Sequence, residues 1–161
     1  MPGLTLGVDP GLAATGYAIL GDPPEVLACG TIKTAAGLRS GKRLLQIQRE
    51  LERLLDGTPV QEAALEEVFM GSNRTSVIGV AQARGVVLAL LESRGVAVHE
   101  YKPAQVKVTM TGYGMAGKAQ MARMLAVQLR LDPAPGSDHA VDAIAIAVCH
   151  LRSRRMRMVA T

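Results

Sequence analysis

The sequence predicts an α/β fold in which a mixed five-stranded sheet, opening with antiparallel hairpin strands, carries helices on both faces. Three short apolar runs separated by Gly- or Pro-containing turns open the chain, which is the pattern of an antiparallel meander. Later segments alternate between short strand-like runs and longer runs whose apolar residues recur every three to four positions. We expect one domain over residues 1–161, ending in a short basic tail at 152–161.

The first half of the chain supplies the hairpin and the first helix. Apolar runs predict strands at 4–9, 14–20 and 26–33. From residue 42 to 55 the apolar positions form a helical stripe, which Gly57 closes. The segment AALEEVF, residues 63–69, predicts a fourth strand with two carboxylates near its end.

The second half predicts the remaining strand and helices. Residues 75–94 form a helical segment rich in Gly and Ala, and 95–101 alternate as a strand. A glycine-rich loop at 111–117 precedes a second helical stripe that follows Lys118. A last helix is expected from about Ser137 to Arg152.

Composition restricts the class of protein. A hydrophobic content of 48% excludes disorder. From residue 101 onward nine Lys or Arg face three Asp, which indicates either a polyanionic partner or a solvated basic face. Cys29 and Cys149 lie far apart, which predicts two free thiols in a reducing compartment. No signal segment opens the chain and every apolar run reads as too short for a membrane span, so a cytoplasmic protein is expected.

Carboxylates follow or face the predicted strand ends. Asp9 ends the first strand, Glu66 lies near the end of the fourth, and His139 and Asp142 share one face of the last helix at i, i+3. Hard oxygen ligands with open positions suit Mg²⁺ or Mn²⁺. Two such ions activate water and stabilise the leaving oxygen at a phosphodiester, so convergence of these residues would define a two-metal nuclease site.

Each of these residues also has a plainer interpretation. Asp9 before Pro-Gly can start a turn, and one of the adjacent Glu66 and Glu67 can be an exposed strand-end charge. Asp138 is interpreted as the N-cap of the last helix and is left out of the metal set. His139 alone would suit a surface position at a helix start. For Asp142, which lies among apolar residues, a purely structural role is the hardest to justify.

Two phosphate-binding patterns compete with the nuclease interpretation. DPGLAATG resembles the phosphate loop of the actin and sugar-kinase ATPases, which need two closing domains. GYGMAGKA nearly matches the P-loop, but Ala119 replaces the Ser or Thr that binds Mg²⁺. We interpret Lys118 instead as a charge held beside phosphate.

Four segments resemble the RuvC family of Holliday junction resolvases, within the ribonuclease H-like superfamily. They are GVDPGLAATGYAIL, ALEEVFMGSNRTSVIGVAQARGV, EYKPAQVKVTMTGYGMAGKAQM and DHAVDAIAIAVCH. Together they span nearly the whole chain in order. The second and fourth are highly specific, whereas the first alone would fit several relatives.

The resemblance implies a role for each candidate residue. Asp9, Glu66 and Asp142 match the metal-binding acids, and His139 stands where many members have a third aspartate. Lys107 and Lys118 match functional lysines and Phe69 an aromatic that contacts the junction; Arg74 is a further expected DNA contact. Lys118 is also expected to be a catalytic residue.

The resemblance further implies the reaction and the partners. A homodimer binds a four-way DNA junction and cuts it by paired symmetric nicks, with two Mg²⁺ or Mn²⁺ ions per active site. The ends are a 5′-phosphate and a 3′-hydroxyl, which a ligase can rejoin in recombination and repair. The branch-migration proteins RuvA and RuvB are the expected protein partners. The Gly- and Ala-rich helix at 75–94 is a candidate for self-packing, although packing on its own sheet explains it as well.

Three rival functions are weighed against this one. A superfamily relative that processes RNA ends would lack the Glu-x-Val-Phe strand end with this last-helix pattern. A non-catalytic junction-binding module would lose the acids, which are all present here. A nucleotide hydrolase would reveal itself in a nucleotide-binding assay.

Overall fold

The computed structural model describes residues 3–68, 74–132 and 135–160, with only the backbone described for residues 74 and 75. Within these described ranges, five strands form one sheet in the order β3-β2-β1-β4-β5. Their bounds are β1 Leu4–Asp9, β2 Ala14–Gly21, β3 Glu25–Lys33, β4 Val60–Glu66 and β5 Ala97–Tyr101. β1, β2 and β3 pair antiparallel, whereas β4 and β5 run parallel to β1. The predicted mixed sheet with a leading hairpin is confirmed.

In the part of the chain that the structure describes, five helices cover the sheet. They are α1 Ser40–Asp56, α2 Arg74–Ser93, α3 Pro103–Thr111, α4 Lys118–Leu129 and α5 Asp138–Val159. One face of the sheet packs against α1 and α2 through Leu6, Val8 and Leu65. The opposite face packs against α3, α4 and α5 through Ala18, Leu20 and Ala64. Alternate residues of each strand therefore enter separate cores, as the pleat of a strand requires.

Two predicted boundaries were wrong, and one helix was missed. The fourth strand ends at Glu66 and not at residue 69, because its pairing with β5 ends at Tyr101, whose carbonyl accepts the Glu67 backbone N–H at 2.8 Å. The last helix continues beyond Arg152 to Val159, so most of the expected basic tail is helical. Helix α3 was not predicted, although its Pro at the first turn and left-handed Gly112 after its end are common helix boundaries.

The N-cap of α5 is Ser137, not Asp138 as expected. The Ser137 side chain accepts a hydrogen bond from the Ala140 backbone N–H, while Asp138 is the first helical residue. The Ser137 hydroxyl also lies 2.6 Å from Thr31 Oγ1 on β3. The start of α5 is therefore tied to the hairpin, which matters because the first turns of this helix carry candidate site residues.

Helix α2 has an inward face and an uncovered face. Ala83, Val87 and Leu91 are buried in the core. Over Ser76–Ser93 the helix is long and apolar enough to cross a membrane, with a mean hydropathy of 1.3 and 22% of this window buried. The expectation that every apolar run is too short to span a membrane was thus wrong for this helix. Its inward face nonetheless belongs to the core, and Arg84 in mid-helix pairs with Glu100 on β5.

Candidate active site

Asp9 and Glu66 lie side by side because β1 and β4 are parallel neighbours that end at the same edge of the sheet. Val8 pairs with Leu65, so the next residue of each strand is Asp9 and Glu66. Adjacent strands are about 4.8 Å apart. The carboxyl ends of parallel strands are the usual place for a site in such sheets. The predicted proximity of these two acids is observed.

Two buried glycines allow α5 to approach this edge closely. A Cβ atom on Gly7 would lie 2.0 Å from the Ala143 carbonyl oxygen, and one on Gly16 would lie 1.9 Å from the His139 carbonyl oxygen. Any side chain at these positions would push the helix away from β1 and β2. The glycines therefore set the distance between the strand-end acid and the residues on α5.

The first turns of α5 bring an imidazole and a third carboxylate to Asp9. His139 Nδ1 lies 2.9 Å from Asp9 Oδ2, and about half of the His139 side chain is exposed. Asp142, one turn further, is half-buried and lines the same cleft as Glu66. The four candidate ligands predicted from separate elements thus meet at one edge of the sheet.

The acids repel one another in the absence of a cation. Burial, together with the charges of Asp9 and Asp142, raises the pKa of Glu66 to about 7. Burial and the charge of Asp9 likewise raise the pKa of Asp142, while Lys118 and His139 lower it in part. Two perturbed carboxyl groups in one cleft are typical of functional sites. A bound divalent cation would relieve this repulsion, so the donor set fits Mg²⁺ or Mn²⁺.

The raised pKa of Glu66 predicts a pH-dependent stability. A carboxyl group whose pKa rises on folding binds more protons in the native state, so the free energy of unfolding falls as pH rises from about 4.5 to 7. After allowance for solvent screening the loss is about 2 kcal/mol. Thermal melts of chelator-treated protein should show this loss, and Glu66→Gln should flatten it. A Glu66→Gln protein with the wild-type pH profile would contradict the assignment.

Two lysines line the cleft beside the acids. The cleft encloses about 390 Å³ and is bordered by Lys107 on α3 and Lys118 at the start of α4, as well as Glu66 and Asp142. Lys118 Nζ also lies 3.3 Å from Asp138 Oδ2, but both side chains are largely exposed. An exposed pair of this kind contributes little to stability, so Lys118 is available to a phosphate.

Arg84 is a residue that the sequence analysis missed. Its guanidinium donates a hydrogen bond to the Glu66 backbone carbonyl at 2.8 Å and pairs with Glu100 on β5. The Arg84 side chain is nearly buried, and it joins α2 to the end of β4. An Arg in the middle of an apolar helix, in the segment AQARGV, was the available sequence signal.

Two predicted DNA contacts cannot be placed. Phe69 lies outside the described residues, and for Arg74 only the backbone at the start of α2 is described. Their roles stay predictions. Both nevertheless belong to the stretch that follows Glu66 directly in the chain.

A mixed sheet with antiparallel leading strands and a carboxylate cluster at the ends of β1 and β4 defines a ribonuclease H-like nuclease. The family Crossover junction endodeoxyribonuclease RuvC matches residues 5–150. The chain belongs to this family. The expected resemblance is therefore confirmed over most of the sequence.

Individual relatives agree with this membership. The chain is 44% identical over 149 residues to the RuvC endodeoxyribonuclease of Roseiflexus sp. (strain RS-1), covering 91% of this chain and 89% of the relative. It is 43% identical over 152 residues to that of Thermomicrobium roseum, covering 93% of each. The structure of Thermus thermophilus RuvC in complex with Holliday junction substrate is 30% identical, with a TM-score of 0.88 over 96% of each chain.

Proposed function

We propose that this chain cuts four-way DNA junctions, as a divalent-metal-dependent endonuclease that makes paired symmetric nicks in recombination and repair. The observation that carries the proposal is the meeting of Asp9, Glu66, His139 and Asp142 at one sheet edge, with raised pKa values for two of the acids. Family membership supplies the substrate class, because the solved Thermus thermophilus relative is described in complex with a Holliday junction. Rejoinable 5′-phosphate and 3′-hydroxyl ends are part of this proposal.

Each residue has a distinct task in the proposed reaction. Asp9, Glu66, Asp142 and His139 would hold two Mg²⁺ or Mn²⁺ ions, which supply charge neutralisation and an activated water at the scissile phosphate. Lys107 and Lys118 line the same cleft and stabilise negative charge that develops on the phosphate oxygens. Phe69 would stack on bases unpaired at the crossover, and Arg74 would contact backbone phosphate.

A cleavage assay tests the proposal. The purified chain is mixed with a synthetic four-way junction, a linear duplex of the same sequence or single-stranded RNA, in Mg²⁺, in Mn²⁺ and without metal. Cutting of the junction alone, at symmetric positions and with ends that a ligase seals, supports it. Equal cutting of the duplex, or no cutting of any substrate with either Mg²⁺ or Mn²⁺, would refute it.

His139 should bias the metal preference of the site. A neutral imidazole nitrogen is a softer ligand than carboxylate oxygen and favours Mn²⁺ over Mg²⁺. His139→Asp is therefore expected to remain active and to lower the Mg²⁺ concentration needed for half-maximal cleavage relative to Mn²⁺. The measurement is a titration of cleavage rate with each metal. An unchanged ratio of the two half-maximal concentrations would show that His139 is not a ligand.

We propose that the uncovered face of α2 forms a homodimer interface. Ile78 is 60% exposed, and Ala81, Gly85 and Ala89 continue the same exposed stripe at helical spacing. Small residues allow two helices to approach closely, and a two-fold junction is matched by a two-fold enzyme. The stripe therefore supports self-association, which the sequence pattern had predicted as one of two alternatives.

Ile78→Lys should convert the dimer to a monomer at micromolar concentration, because it buries a charge in the proposed interface. Sedimentation velocity measures the change. Val127→Lys on α4, where the side chain is 75% exposed, is the matched control and should stay dimeric. An Ile78→Lys protein that sediments as wild type would exclude this face.

RuvA and RuvB are the proposed branch-migration partners, and the cytoplasm is the proposed compartment. Both cysteines are free thiols, with Cys149 buried and Cys29 half-buried, which suits a reducing environment.

A further inference from the structure

A second group of metal-ligand side chains lies away from the proposed nuclease site. It consists of Glu62 on β4, His99 on β5 and His150 on α5, whose ligand atoms all lie within 4.8 Å of one another. His150 is fully buried, and the other two are half-buried. The chain has three histidines, so two of them belong to this group and only His139 serves the acids.

The group is distinct from the acid cluster. Glu62 precedes Glu66 by four residues of an extended strand, a separation of about 13 Å. His150 follows His139 by eleven residues of one helix, a separation of about 16 Å. Glu66 therefore lies at the end of β4 and Glu62 near its start, while His139 and His150 lie about three turns apart on α5.

The geometry suits a tetrahedral transition-metal ion. His150 Nε2 lies 3.0 Å from Glu62 Oε2, and His99 Nε2 lies 3.9 Å from Glu62 Oε1. The two imidazole rings are 4.5 Å apart between centroids and tilted by 33°. Ligand atoms bound to one Zn²⁺ at about 2.0–2.2 Å are separated by distances in this range. Two imidazoles and one carboxylate with an open fourth position form a recurrent zinc ligand set.

The surrounding side chains provide the partners that metal ligands need. Tyr101 Oη lies 2.8 Å from His150 Nδ1, so it can hold the proton on Nδ1 while Nε2 binds a metal. In the metal-free chain the carboxylate only accepts, so Nε2–H donates to Glu62 and Nδ1 accepts from the tyrosine hydroxyl. Metal binding thus requires the imidazole proton to change from Nε2 to Nδ1 and the tyrosine hydroxyl to turn from donor to acceptor.

Two arginines near this group oppose a cation: Arg157, whose side chain hydrogen-bonds to Tyr101, and Arg154. The Arg154 guanidinium donates a hydrogen bond to Glu62 Oε2 at 2.5 Å. The other carboxylate oxygen, Oε1, faces His99 and is left to bind a metal. Asp22 accepts from Arg154 at 2.6 Å and also pairs with Arg155. The Asp22 carboxylate offsets the guanidinium charge, so Arg154 would orient the glutamate ligand from behind.

We propose that Glu62, His99 and His150 form a Zn²⁺ site that fastens the middle of α5 to β4 and β5. The metal would be a borderline transition ion rather than Mg²⁺, because two of three ligands are imidazole nitrogens. Such a site would hold in place the helix whose first turns carry His139 and Asp142. It does not depend on the proposed nuclease function.

The test uses the full-length protein after chelator treatment, with Zn²⁺ alone as the probe and Mg²⁺ in excess to occupy the carboxylate cluster. Equilibrium dialysis gives the Zn²⁺ bound per chain for wild type, His99→Gln and His139→Gln. The last is the matched control, because it makes the same change at the other site. Wild type and His139→Gln should bind one Zn²⁺ and melt several degrees higher with it. His99→Gln should lose at least about ten- to a hundred-fold in affinity and show no such shift.

Imidazole NMR resonances of the wild-type chain provide a second measurement that needs no variant to fold. Zn²⁺ should shift two of the three histidine signals and leave that of His139 in place. Equal Zn²⁺ binding by His99→Gln and wild type would overturn the proposal. A shift of the His139 signal alone, or no Zn²⁺ uptake by the wild type, would also overturn it, leaving these side chains as a hydrogen-bonded network.

Discussion

Replacing Asp142 by Asn is expected to abolish junction cleavage while leaving junction binding close to that of the wild type. The amide has nearly the shape of the carboxylate but lacks the charge that a divalent cation requires. Loss of one preorganised charge-stabilising group typically costs about 10²–10³-fold in rate, and loss of a metal ligand should cost at least as much. Single-turnover cleavage and a gel-shift assay in Ca²⁺ measure the two properties separately.

The matched control is Asp138→Asn, the same substitution four residues earlier on the same helix. Asp138 is exposed and pairs only weakly with Lys118, so this variant should keep most of the activity. In the metal-free state Asp142→Asn should melt at or above the wild-type temperature, because burial and the Asp9 charge already disfavour the carboxylate. Cleavage at the wild-type rate by Asp142→Asn would exclude Asp142 as a ligand.

The sequence predicted site residues best where the residue type and its position in a strand or helix indicated the same role. A carboxylate among apolar helical residues, as at Asp142, has few structural uses, and the i, i+3 spacing of His139 and Asp142 needs only a helix to place both on one face. Parallel pairing of β1 and β4 then brings Glu66 beside Asp9. These placements follow from local periodicity and simple sheet topology.

Features that depend on contacts between distant segments were not predictable in the same way. Nothing near Arg84 in the chain shows that it will hold the Glu66 carbonyl from another element. The group of Glu62, His99 and His150 was likewise not predictable, because Glu62 and His150 are 88 positions apart in the chain. Beyond Arg152, ion pairs from Arg154 to Asp22 and Glu62 link α5 to distant segments of the chain.

Gly7→Ala is expected to reduce both stability and cleavage, because one added methyl group separates α5 from the sheet. The new Cβ would lie 2.0 Å from the Ala143 carbonyl oxygen and 2.9 Å from the Ala147 Cβ. Backbone cannot rotate away as a flexible side chain does, so the helix must shift. Overpacking of a core typically costs about 1–3 kcal/mol. For a chain of this size, that lowers the melting temperature by roughly 3–10 °C.

The loss of cleavage should exceed what unfolding explains. Asp142 precedes Ala143 directly, so a helix displaced at Ala143 also carries Asp142 away from Asp9 and Glu66. A displacement of about 1 Å at a reacting group can reduce the rate by about 10²-fold. Gly41→Ala in α1 is the control, because a Cβ there meets nothing within 4 Å, and its melting temperature and cleavage rate should match the wild type. If Gly7→Ala cleaves at the wild-type rate well below its melting temperature, the close approach of α5 to β1 does not set the geometry of the acids.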